Sequence, residues 1–125
     1  MSRVQYESKV GRKFVEEINV FWPMNGAAAP AAANINTTQE CVITYAATGK
    51  YTITFTRPYS VVLGAYADSM YATAGGNYAQ VDSVALNSNG VCVVVVGLYT
   101  NAGVAVAPAS AAANNNVMVA LTLVW

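Results

Sequence analysis

The chain has 125 residues, 55% of them apolar, with six basic and six acidic side chains and no histidine. A net charge of zero excludes a nucleic-acid binder that works by neutralising phosphates, which needs a basic surface. The missing histidine removes the commonest general base and metal ligand, and the longest apolar run, Val91 to Leu98, is too short to span a bilayer as a helix.

The first residues are polar and hold much of the charge: Arg3, Glu7, Lys9, Arg12, Lys13, Glu16 and Glu17. They lack the apolar core of a secretory signal, so the chain is expected to be soluble and unsecreted. On that ground the glycosylation sequon Asn36-Thr37-Thr38 is read as chance. Lys13 to Trp22 (KFVEEINVFW) admits two readings. Phe14, Ile18 and Phe21 fall at helical spacing, whereas Val20 and Trp22 suit a strand; Pro23 ends either one. Residues 25–34 (NGAAAPAAAN) form an uncharged low-complexity linker. Residues 1–36 therefore read as an extended arm with its linker, and residues 37–125 as one compact domain.

From Thr37 onwards the period is two. Cys41 to Tyr45 is a strand, and Ala47-Thr48-Gly49 a turn. In the next strand, GKYTITFTRPY, Tyr51, Ile53 and Phe55 face one side and Thr52, Thr54 and Thr56 the other. Pro58 cannot donate to a ladder and marks the strand's end. Ser60 to Tyr66 and Tyr78 to Leu86 are further strands, separated by the loop ATAGGN. Asn87-Ser88-Asn89-Gly90 is a hairpin turn leading into Val91 to Leu98, which is apolar on both faces. After a short Val104 to Val106 and the loop ASAAANNN, the chain closes with Val117 to Trp125. There Val117, Val119, Leu121, Leu123 and Trp125 share one face, and Met118, Ala120 and Val124 the other. Either this strand is central and covered by the arm, or its outer face meets another subunit; Met118, Val124 and Trp125 are the expected oligomer contacts. This rhythm of short strands and turns predicts an all-β antiparallel sandwich, jelly-roll-like, with no helix in the domain.

Chemistry is sparse. Within 41–125 the charged residues are Lys50, Arg57, Asp68 and Asp82, far fewer than a small free-standing domain carries on its surface. Much of that surface is therefore expected to be covered by partners. No histidine activates a serine, and paired carboxylates would have to come from Glu40, Asp68 and Asp82, without the spacing of a calcium loop. No catalysis, cofactor or metal is expected. Cys41 and Cys92 sit in apolar runs and read as small core residues or as one bridge between strands. Tyr66, Tyr71 and Tyr78 flank the Gly75-Gly76 loop and offer a stacking surface for sugars; tyrosine equally suits half-buried strands and interfaces.

The stretch GKYTITFTRPY, followed by a strand, the hairpin Asn89-Gly90-Val91 and the alternating C-terminal strand, resembles the small jelly-roll modules of tailed-bacteriophage virion proteins. These occur as capsid cement or decoration proteins and as fibre tips, and are similar in outline to trimeric tumour-necrosis-factor/C1q-like sandwiches. The resemblance covers residues 40–125. It implies a structural, non-enzymatic role and closed symmetric association, expected to be a homotrimer. Read as a complete chain with its own initiating methionine, it is expected to be a cement protein on the virion surface, assembled in the host cytoplasm. Its arm would grip the major capsid protein through Tyr6, Phe14, Phe21 and Trp22, with no part for nucleic acid or membrane. The alternative is a tail- or head-fibre tip that binds host surface glycans.

Overall fold

A computed structural model describes residues 6–7, 14–72, 76–109 and 115–125. Its strands are β1 (Tyr6–Glu7), β2 (Phe14–Pro23), β3 (Asn36–Thr37), β4 (Cys41–Ala47), β5 (Lys50–Pro58), β6 (Val61–Met70), β7 (Tyr78–Leu86), β8 (Val91–Tyr99) and β9 (Asn116–Val124). A single 3-10 turn, Ala32–Asn34, interrupts them. Among the described residues no helix is long and apolar enough to cross a membrane.

The strands form an antiparallel two-sheet sandwich, as the alternating pattern predicts. Sheet A runs β2–β9–β6, and β1 and β3 share the outer edge of β2 at its two ends. Sheet B runs β4–β5–β8–β7. The hairpins β4–β5 and β7–β8 stay within sheet B, while the chain crosses between sheets at β3–β4, β5–β6, β6–β7 and β8–β9. In seven-stranded sandwiches that pack an ABED sheet on a CFG sheet, the place beside the sixth strand belongs to the last one. Here β4 to β9 trace the first six strands, and the seventh place is filled by β2, from the other end of the chain.

The core follows from the period. Tyr51, Ile53 and Phe55 are buried from β5, Cys92, Val94 and Val96 from β8, and Val117 to Leu123 at alternate positions from β9. The threonines of β5 stay on the outer side, with Thr56 exposed. The Asn87–Gly90 turn closes β7–β8 through the Asn87 side chain, whose Oδ1 accepts from the amides of Asn89 (2.8 Å) and Val91 (3.0 Å). Gly90 adopts φ +80, and a Cβ there would stand 2.7 Å from the Tyr59 carbonyl oxygen. Both the left-handed conformation and the clash oppose a side chain. Gly90→Ala is expected to lower unfolding stability by about 2 kcal/mol, read as a lower urea midpoint with an unchanged m-value.

Two expectations, the free arm and the short strand at Val104–Val106, are corrected, and two open readings are decided. The segment KFVEEINVFW is neither helix nor free arm but the strand β2, paired along its length with β9 from Val15↔Val124 to Pro23↔Asn116. Its period-two set Glu16, Ile18, Val20 and Trp22 is buried, and this burial outweighs the helical spacing of Phe14, Ile18 and Phe21. A boundary after residue 36 therefore does not separate arm from domain, because β2 is a core strand. Pro23 fits because the Met24 amide donates to Asn115 O (2.8 Å), so alternate residues, Pro23 included, turn their amide position away from β9. Val104–Val106 forms only a single bridge, Tyr99↔Ala105. Cys41 and Cys92 are both free. They lie on β4 and β8 with β5 between them, about 10 Å apart at two inter-strand spacings and beyond disulfide reach.

Candidate interaction surface

Sheet A turns its inner side to the core, and among the described residues nothing covers its outer side. The register lays out rows across three strands: Phe21, Met118 and Asp68; Asn19, Ala120 and Tyr66; Glu17, Thr122 and Gly64; Val15, Val124 and Val61. Phe21 is 44% exposed, Tyr66 59% and Met70 51%. Glu17 and Asp68 are the only charged members of these rows. Beyond the first row, a groove of about 350 Å3 opens between Phe21, Pro23, Asn36, Met70 and Met118. A face this apolar is unusual for a sheet meant to contact water, which alternates apolar-in and polar-out.

The expected contact residues separate into groups. Met118 and Val124 lie half-buried on this outer face, Met118 beside Phe21 and Val124 at the other end beside Val15. Trp125 belongs to the core-facing alternation and closes one end of the sandwich instead. Its ring lies 5.4 Å from that of Phe14, and the Arg57 guanidinium carbon sits 3.4 Å over it. Arg57 also reaches Glu16, which is completely buried, at 3.6 Å. This cluster ties β2, β5 and the chain's end together. It also holds the half-buried Phe14 against Trp125, so Phe14 is not a free anchor. Trp22 is not one either: it is 1% exposed and packs edge-on against Tyr51 at 5.3 Å. The backbone of Tyr6 pairs with Val15, and its side chain lies outside the described residues, as do Arg3, Lys9, Arg12 and Lys13. Of the four arm anchors, Phe21 alone is placed on an exposed face.

The outer side of sheet B carries a polar cluster that sequence reading missed. Lys50 donates from Nζ to Asp82 Oδ2 (2.5 Å) and to the Tyr99 hydroxyl. Tyr99 in turn donates to Asp82 Oδ1 (2.6 Å), and Gln80 donates to the same oxygen (3.2 Å). Lys50 and Asp82 are thirty-two positions apart in the chain, and only the β5–β8–β7 order brings them together. Gly97 makes room, since a Cβ there would stand 2.6 Å from the Tyr99 hydroxyl oxygen. Hydrogen bonds to Asp82 and then Tyr99 raise the Lys50 ammonium above its ordinary value. Partial burial pushes the Asp82 carboxyl up, but the bonds from Lys50, Tyr99 and Gln80 outweigh it and hold the group low.

A carboxyl lowered in the folded state stabilises above its ordinary value of 3.8 and loses that contribution as pH falls through the folded value. The raised Lys50 acts in the opposite sense and loses its contribution only at strongly alkaline pH. Asp82→Asn is expected to cost about 0.5 kcal/mol at neutral pH. It should also flatten the acid limb of the stability curve below pH 3.8, as measured by urea unfolding across pH.

The tyrosines considered for sugar stacking do not share a surface. Tyr66 is on the outer side of sheet A, and Tyr78 is on the outer side of sheet B, where it stacks on Tyr99 at 5.7 Å. Tyr71 is half-buried, and burial raises its hydroxyl pKa. Among the described residues no three His, Cys, Asp or Glu side chains gather as a metal site would require. Compared with protein-family models, curated proteins and solved structures, the chain matches none.

Proposed function

We propose that this chain is a structural virion protein of a tailed bacteriophage, a non-enzymatic capsid cement protein that sits on the major capsid protein shell as a homotrimer. The observation that carries the reading is the outer face of sheet A, which exposes Phe21, Tyr66, Met70 and Val61 around the half-buried Met118 and Val124, with Glu17 and Asp68 as the charged members of its rows. Burying such a face between copies or against a shell returns roughly 25 cal/mol for each Å2 of apolar surface removed from water. Closed symmetric association uses one patch repeatedly and leaves no copy with the face exposed.

In this reading Phe21 is the one arm anchor left for a contact with a neighbouring copy or with the shell, because Trp22 is committed to the core and Phe14 to Trp125. The fibre-tip alternative needs a glycan platform, and the separation of Tyr66 from Tyr78 weighs against the one considered. The test is the mass of the purified chain in solution together with binding to capsid shells. A trimer that co-sediments with shells at hundreds of copies supports the reading. A monomer of 13.1 kDa that stays in the supernatant overturns it.

A further inference from the structure

Strand β2 completes a sheet whose neighbouring strand, β9, comes from the other end of the chain, and this invites the question of whose β2 fills which sheet. We propose that β2 is exchanged between copies, so that residues 14–24 of one chain occupy the place beside β9 in another. The inference goes beyond the virion reading and requires only that two copies meet.

Three observations carry it. First, β2 is a detachable plug. It supplies Glu16, Ile18, Val20 and Trp22 to the core, followed by the buried Met24, at strict alternation. Without it, β4–β8 and β9 still form two facing sheets, with an apolar groove along the free edge of β9. A missing strand supplied by another chain is a known way to complete such a sandwich.

Second, the connection is far longer than an intrachain link needs. β2 and β3 pair antiparallel with Phe21 opposite Asn36, which a hairpin loop of two to five residues closes. The chain instead spends residues 22–35 there. Residues 22–26 belong with β2; the nine residues 27–35, extended, would reach about 30 Å, close to the roughly 33 Å length of a ten-residue strand. That is enough to cross to a neighbouring copy without unravelling either one.

Third, the connection has the composition and bonding of a hinge. No charged residue occurs between Ile18 and Gln39. The amides of Met24 and Gly26 bond to Asn115 O and Ala109 O and would travel with β2. Among the described residues, the hydrogen bonds of residues 27–35 stay within 25–35. Exchange therefore keeps every β2 contact and alters only this hinge. The balance between closed and exchanged forms is then set by hinge conformation and local concentration.

The test uses full-length chains. Asn19 and Ala120 face each other on the outer side of β2 and β9, in a rung without mutual hydrogen bonds. There the Cα atoms stand about 4.5 Å apart, within disulfide reach. Asn19→Cys and Ala120→Cys chains are mixed, refolded together at high concentration and oxidised. Exchange predicts a covalent band at twice the 13.1 kDa chain mass that neither variant gives alone, and a covalent dimer or ladder from the double variant. If the double variant closes only on itself while the unmodified chain remains an oligomer, exchange is overturned and face-to-face assembly stands. If the unmodified chain is monomeric at every concentration, both readings fall. Should the first pair not fold, judged by circular dichroism, Glu17→Cys with Thr122→Cys, the adjacent outer rung, repeats the test.

Discussion

Replacing Trp22 by alanine should cost the fold about 3–5 kcal/mol, the usual penalty for emptying a buried aromatic site. Trp22 is 1% exposed at the end of β2, its ring edge-on to Tyr51, which is itself fully buried beneath Tyr45 at 5.4 Å. Removing the indole opens a void among rings contributed by both sheets, and rigid β-strands cannot collapse into it. Domain stabilities are only about 5–15 kcal/mol, so the variant should be largely unfolded near body temperature. Trp22→Phe, which keeps most of the volume, should retain the fold with a smaller loss. Urea unfolding of both variants checks this. A Trp22→Ala loss below about 1 kcal/mol would mean that β2 is not part of the core and that the segment behaves as a free arm.

The second large effect concerns assembly. The double variant Phe21→Glu with Met118→Glu places two carboxylates in one row of the outer face of sheet A. Buried against a partner, unpaired charges cost several kcal/mol. Self-association should therefore weaken at least about a hundredfold, equivalent to roughly 2.7 kcal/mol. Phe21 is 44% exposed, but Met118 is half-buried and stands opposite Asp68, so the monomer should lose about 1 kcal/mol from the like charges placed in one row. Sedimentation velocity over a concentration series measures the shift. An unchanged oligomer mass would place the interface elsewhere. A loss well above about 1 kcal/mol would mean that the face has a structural role within each copy.

The cluster of Glu16, Arg57, Phe14 and Trp125 shows how the two ends of the chain become interdependent. Glu16 comes from the first long strand, Arg57 from β5 and Trp125 from the last position. A buried acid paired with one arginine fixes register more than it adds stability, because a one-residue slip of β2 would carry Glu16 to the outer face and strand Arg57. The same pair would set the register of a β2 arriving from another copy.

Much of this protein was decided by local pattern. The alternation of Tyr51, Ile53 and Phe55 with threonine, the Asn87–Gly90 turn and the split faces of Val117–Trp125 follow from the two-residue period of a strand and from glycine's tolerance of positive φ. They fixed the fold class and the inner and outer faces without reference to any partner strand. Pattern could not decide Lys13–Trp22, where helical and strand spacings coexist in one short segment. Only the apolar edge of β9, about a hundred residues away, selects the strand. The Lys50–Asp82–Tyr99 cluster, the separation of Cys41 from Cys92 and the placement of Tyr66 and Tyr78 on opposite sides depend likewise on strand order. Side-chain alternation is a property of each strand alone, whereas strand order is settled by which edges and faces bury the most surface together, and that sum exists only in the assembled sandwich.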